Sequence, residues 1–160
     1  MSINTISILG SGWLGLPLAT QLYKQGFHVK TSTRHRERFS EIATAGASAF
    51  YVDIDQISDI QEFLHSEILI INITSKNQTG FTNLIQQIEK SPIQKILFIS
   101  STSVYQSLNR EVNEDEHAED HDSILWEIEQ QFQTSNHFQT TILRFSGLID
   151  KRRHPGRFFR

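Results

Sequence analysis

The chain has 160 residues, 38% of them hydrophobic and 21% charged, with eleven Phe to fill a core, the make-up of a single globular domain. A net charge of −3 offers no global positive field to nucleic acid, and the absence of cysteine excludes disulfides and thiolate metal sites. No apolar run approaches the length of a membrane span, and no basic stretch precedes residues 3–9 as in a signal peptide, so a cytoplasmic location is expected.

Strand and helix signals alternate along the chain. Thr5–Leu9 is a short β-rich run that ends at Gly10. Over residues 13–25, Leu14, Leu18 and Leu22 recur at helical spacing until Gly26 stops the run. Pro17 lies just inside this helix. Its missing N–H costs little in a first turn and more beyond it, and a slight irregularity is expected there. Residues 27–33 read as a second strand, and a polar helix over about 36–45 closes at Gly46. A short third strand, 49–52, ends at Asp53. Ile57, Ile60, Phe63 and Leu64 mark one face of a short helix. Ile68–Ile71 is continuously apolar, as suits a central parallel strand buried on both faces. Residues 81–90 form a helix with Leu84, Ile85 and Ile88 inward, followed by Ser91 and Pro92. Residues 96–99 make a fifth strand, 124–132 a helix and 140–145 a sixth strand. Residues 111–122 carry seven acids and two His, and are expected to be a solvated loop.

Strands separated by helices of about ten residues imply βαβ units. The expectation is an α/β Rossmann-type doubly wound parallel sheet of about six strands, order 3-2-1-4-5-6. Gly10-Ser11-Gly12-Trp13-Leu14-Gly15 is a GxGxxG motif placed between a predicted strand and a predicted helix. In that context Gly10 permits a tight turn. Gly12 lets the backbone approach a pyrophosphate where a Cβ would collide, and Gly15 lets helix and strand pack closely. The amides of Trp13 and Leu14 would then point at the phosphates from a positive helix end.

The second strand closes on Thr33 and Arg34, with no acid to bind an adenine ribose, and Arg36 and Arg38 follow. A guanidinium beside a hydroxyl suits the 2′-phosphate of NADP, so NADP is preferred to NAD, with Thr33 and Arg34 as its selectors. Asp53 has two readings: an acceptor for the adenine amino group, or a cap on the next helix. Thr74, after the fourth strand, and residues 144–147, after the sixth, would flank the nicotinamide side at the switch-point crevice.

Four further strings set this pattern in a family. They are residues 12–19 (GWLGLPLA), 100–105 (SSTSVY), 143–149 (LRFSGLI) and 153–159 (RHPGRFF). Together they resemble the NAD(P)-dependent nucleotide-sugar epimerase/dehydratase family of the extended short-chain dehydrogenase/reductase superfamily, nearest its atypical bacterial branch. The resemblance implies a Rossmann domain, here 1–150, followed by a substrate domain of which 151–160 is a truncated start. It implies catalysis by a Ser or Thr after the fifth strand with a Tyr-x-x-x-Lys pair on the next helix. Ser101 matches the hydroxyl position and either holds a substrate oxygen or terminates the strand. The Tyr-x-x-x-Lys pair is absent: its positions fall on about His121 and Leu125. Leu125 carries no charge; His121 sits in a run of acids and reads as an exposed loop His, the alternative being a proton shuttle.

His117 and His121 lie four apart among acids, as metal ligands on a helix face would, but no apolar periodicity supports a helix there, and a solvated loop is the favoured reading. Arg152, Arg153, His154, Arg157 and Arg160 form a basic tail, and Phe158 and Phe159 would leave apolar surface if their usual packing partners are missing. Two functional expectations stand. One is the cofactor half of an oxidoreductase, epimerase or dehydratase acting on a sugar-like or nucleotide-linked small molecule, with a homodimer through the helices at 81–90 and 124–132. The other is a non-catalytic NAD(P)-binding module or redox-sensing regulator.

Overall fold

Six parallel strands form one sheet: β1 (Thr5–Leu9), β2 (His28–Thr33), β3 (Ser48–Tyr51), β4 (Ile68–Ile71), β5 (Lys95–Ser101) and β6 (Gln139–Phe145), in the order 3-2-1-4-5-6. The computed structural model describes residues 4–150, 153, 154 and 156, so Arg152, Arg157, Phe158, Phe159 and Arg160 lie outside the described residues. The sheet is the expected Rossmann-type arrangement, and its strand order reverses between β1 and β4. Among the described residues, no helix is long and apolar enough to cross a membrane.

Alternation along each strand feeds two cores. Ile6 and Ile8 of β1 and Ile70 of β4 join Ala19 of α1 (Gly15–Lys24) and Ile42 of α2 (Phe39–Thr44) on one face. On the other face Leu9, Leu69, Ile71, Ile96 and Phe98 meet α3 (Gln61–Leu64), α4 (Gln78–Ile88) and α5 (Ile124–Gln133). Phe81, Phe98 and Phe132 make a fully buried trio there, with Phe81 edge-on to Phe132 at 5.8 Å. The continuous apolar run of β4 is explained by this two-sided burial.

Element ends differ from expectation for local reasons. Helix α4 starts at Gln78, three residues early, because Asn77 caps it by accepting from the Gly80 amide at 3.0 Å. Pro17 falls in the first turn of α1. Leu16 N still donates to Gly12 O and Leu18 N to Leu14 O, both at 3.1 Å, so the ladder closes around it. Phe81→Ala is expected to cost roughly 3–5 kcal/mol of unfolding free energy, as for other buried Phe truncations, measured by urea denaturation. A cost under about 1 kcal/mol would place Phe81 outside the core.

Candidate functional site

Gly10 leaves β1 with φ of +104°, a conformation that favours glycine. Its amide donates to Ser32 Oγ of β2 at 3.0 Å, so the neighbouring strand holds the turn. The three motif glycines then part company. A Cβ on Gly10 would lie 2.4 Å from Asn72 O, and one on Gly15 would lie 1.9 Å from Gly10 O. A Cβ on Gly12 would meet nothing within 4 Å. Two glycines are therefore demanded by the protein's own packing, while Gly12 faces open space.

Helix α1 begins beside that space. Leu14 is its N-cap residue, no side chain caps it, and no acid occupies its first turn. The helix presents backbone N–H groups and the positive end of its dipole, an arrangement suited to an anion. The residues present fit a dinucleotide pyrophosphate: an open cradle at Gly12 beside the uncapped amides of Trp13 and Leu14. The Trp13 indole N–H donates to Asp150 Oδ2 at 2.9 Å.

The basic segment after β2 is distributed unevenly. Arg38 reaches back to the turn, donating through Nη2 to Ser11 O at 3.0 Å and through Nη1 to Ser11 Oγ at 3.3 Å. Glu41 steadies it by accepting from Nε at 2.8 Å. Arg34 is instead exposed and pairs with Asp55 at 3.7 Å, and Arg36 lies over the Tyr51 ring. Thr33 is buried, its Oγ1 accepting from the His35 amide. Asp53 Oδ1 accepts from the Asp55 amide at 3.0 Å and caps the 3-10 turn Ile54–Gln56. Thr74 is exposed in the β4–α4 loop.

Ser101 ends β5 and its Oγ accepts from the Ser103 amide at 3.1 Å, capping the 3-10 turn Thr102–Val104. Beside it the structure assembles a cluster that the sequence reading missed. Arg144 of β6 donates to Glu129 of α5 through Nη2 and Nε, at 2.7 and 3.2 Å, and its Nη1 donates to Glu119 at 2.5 Å and to the Tyr105 hydroxyl at 2.9 Å. Ser100, the register partner of Arg144, donates to Glu129 at 2.5 Å. Glu129 is fully buried and Glu119 nearly so. The 111–122 segment is thus not wholly solvated: it closes on the sheet through Glu119, whose neighbour Ala118 is also buried. Thr140, Ile142 and Arg144 share one face of β6, and that alternation was the available signal. The Arg144 side chain is consumed here rather than flanking the crevice.

Burial, the strongest influence on Glu119, pushes its carboxyl up. The Arg144 hydrogen bond, a backbone amide and nearby positive charge outweigh it and hold the group below the usual carboxylate range. Burial likewise pulls Arg144 down, but its hydrogen bonds to Glu129, Glu119 and Tyr105 win and keep it firmly protonated. His121 is exposed and stacks on Trp126 at 5.0 Å, and Leu125 packs against the core. His117 adopts the left-handed conformation after the 3-10 turn Glu114–Glu116, which is closed by a capping box. Among the described residues, no group of three or more His, Asp or Glu is placed to hold a metal.

Sheet order, glycine turn and uncapped helix end together define a dinucleotide-binding α/β domain. The sequence profile of the family described as NAD(P)H-binding matches residues 10–159, and the chain belongs to that family. The protein YeeZ of Escherichia coli K12 is 26% identical over 173 aligned positions, covering 98% of this chain and 63% of YeeZ. A solved structure from Methylobacillus flagellatus, named for an NAD-dependent epimerase/dehydratase, has a TM-score of 0.74 at 29% identity, covering 95% of this chain and 57% of that one. A conserved protein of unknown function from Silicibacter pomeroyi shares the fold with a TM-score of 0.78 at 19% identity, over 95% of this chain and 55% of that one. This chain therefore spans under two thirds of the length of each relative. The resemblance read from the sequence, to an NAD(P)-binding short-chain-dehydrogenase-like family, is borne out.

Arg144→Met would leave two buried carboxylates without their cation and is expected to cost roughly 3–5 kcal/mol at pH 7. Glu119 titrates low in the folded chain, so its stabilisation is present at neutral pH and is lost as pH falls below about 4. The variant lacks that contribution, so the difference between wild type and variant should shrink on acidification. Urea titrations across that range check this, and a constant difference would contradict the assignment.

Proposed function

We propose that this chain binds NADP, or less tightly NAD, across the carboxyl ends of β1 and β4 as the cofactor half of an oxidoreductase, epimerase or dehydratase. The substrate is a small sugar-like or nucleotide-linked molecule. Residues 1–150 form the dinucleotide domain, and 151–160 open the segment that in longer relatives leads onward. The observation that carries this reading is the open space at Gly12, set between two glycines that the fold itself requires. Gly10, Gly12 and Gly15 with the Trp13 and Leu14 amides hold the pyrophosphate. Thr33 and Arg34 select the 2′-phosphate together with Arg38, the guanidinium already on the glycine turn. Asp53 and Thr74 line the adenine and nicotinamide ends, and Ser101 faces the substrate. A homodimer through α4 and α5 belongs to the same reading.

A second reading, a dinucleotide-binding module or redox-sensing regulator without turnover, has specific support. The positions of the Tyr-x-x-x-Lys pair hold His121, stacked on Trp126, and Leu125, packed against the core. The Ser101 hydroxyl is engaged in capping its own turn. Incubation with NADP and candidate sugars separates the two: reduction of bound cofactor supports the enzyme, and binding without reduction supports the module.

Gly12→Ala is expected to melt within about 0.5 kcal/mol of wild type yet lose most NADPH affinity, whereas Gly15→Ala, forced against Gly10 O, should be clearly destabilised. Calorimetry and denaturation measure both, and undiminished NADPH binding by a folded Gly12→Ala would sink the cradle. Arg38→Ala should weaken NADPH roughly ten- to a hundredfold and NADH far less, as for loss of hydrogen bonds to a charged group worth about 1.5–3 kcal/mol. Arg34→Ala should act in the same direction. Equal loss of both nucleotides would remove the preference for NADP.

A further inference from the structure

The contact between Trp13 and Asp150 joins positions 137 residues apart. Trp13 follows β1, and residues 146–150 leave the end of β6, three strands away in the sheet. Three interstrand steps amount to roughly 14 Å. Five residues extend to at most roughly 17 Å. The segment 146–150, with the side chains of Trp13 and Asp150 completing the span, therefore links the carboxyl end of β6 to the glycine turn. The crevice between β4 and β1, the place where an open α/β sheet takes its ligand, lies between its two anchors.

The far end of this segment meets the glycine turn at Trp13. The Trp13 indole N–H donates to Asp150 Oδ2 at 2.9 Å. The Arg153 guanidinium lies over the Trp13 ring at 4.8 Å. The Arg153 amide donates to Asp150 Oδ1 at 2.6 Å and to the Asp150 carbonyl at 3.2 Å, which fixes the carboxylate that holds the indole. Ser146, Gly147, Ile149 and Asp150 are exposed, and Leu148 is half-buried. An exposed segment anchored by β6 at one end and by a side-chain clasp at the other is held closed by that clasp.

We propose that residues 146–150 are a strap over the dinucleotide, latched by Trp13 to Asp150 and Arg153, and that the latch governs how fast the dinucleotide leaves. This rests on the binding reading above. The backbone of Trp13 belongs to the phosphate cradle while its side chain belongs to the latch. Grip on the pyrophosphate and closure of the strap are thereby linked through one residue.

The test uses the 160-residue chain loaded with NADPH, with release followed by nicotinamide fluorescence in a stopped-flow chase with excess NADP. Two variants break the latch from opposite sides: Trp13→Phe keeps a ring beneath Arg153 but removes the indole N–H, and Asp150→Ala removes the acceptor on an exposed side chain. Both are expected to release NADPH roughly five-fold faster than wild type with association unchanged, the equivalent of about 1 kcal/mol from one hydrogen bond. Unchanged release in both variants, or faster association with unchanged release, overturns the strap while leaving the binding reading in place. Faster release in Trp13→Phe alone assigns the effect to the glycine turn and also overturns the strap. A wild-type chain that binds neither NADPH nor NADH overturns the binding reading, and the strap falls with it.

Discussion

The carbonyl of Gly10 and the Cα of Gly15 stand so close that no side-chain atom fits between them. That approach seats α1 directly on the exit of β1. It is the constraint from which the rest of the site follows. With α1 held there, its amino end can only open toward the carboxyl edge of the sheet, beside the reversal of strand order. The turn is over-determined by its neighbours: β2 supplies the Ser32 hydroxyl to the Gly10 amide, and Asn72, just beyond β4, stands against both glycines. Both flanking strands thus police the shape of the cradle, and a shift in either would be felt there.

The opposite half of the sheet is organised around charge. Arg144 draws β6, α5, the turn after β5 and the acidic segment to a single guanidinium. Such a cluster is weak evidence for net stability, because burying three charged groups costs much of what their attraction returns. Its clearer effect is geometric. The bonds to Tyr105 and Glu119 fix the chain that follows Ser101, so the turn after β5 has one arrangement. The cradle at β1 and the cluster at β5 and β6 are separated by β4. The segment after β6 spans that gap and ties the two halves together at Trp13.

Much of the fold was legible because each element carries its own signal. The uninterrupted apolar run of β4 reflects burial on both faces. The spacing of Leu18 and Leu22 reflects one side of α1 lying on the sheet, where Leu16 rather than Leu14 joins them. The start of α4 was misplaced because Asn77, a strong capping residue, was outweighed by the apolar Phe81. Arg34, Arg36 and Arg38 look alike in sequence, and what separates them is that the 3-10 turn aims Arg38 at Ser11 and Arg36 at Tyr51, while Arg34, before the turn, meets Asp55.

Local chemistry alone determined the strand–glycine–helix unit, the alternation of elements and the class of ligand such a turn accepts, because those depend on side-chain size and backbone freedom within a few residues. Tertiary structure decided which arginine meets the cradle, that Glu119 is buried, and that Asp150 meets Trp13. Each of these joins groups distant in sequence. Their energies arise only after the sheet has brought the groups together, and no periodicity along the chain records that meeting.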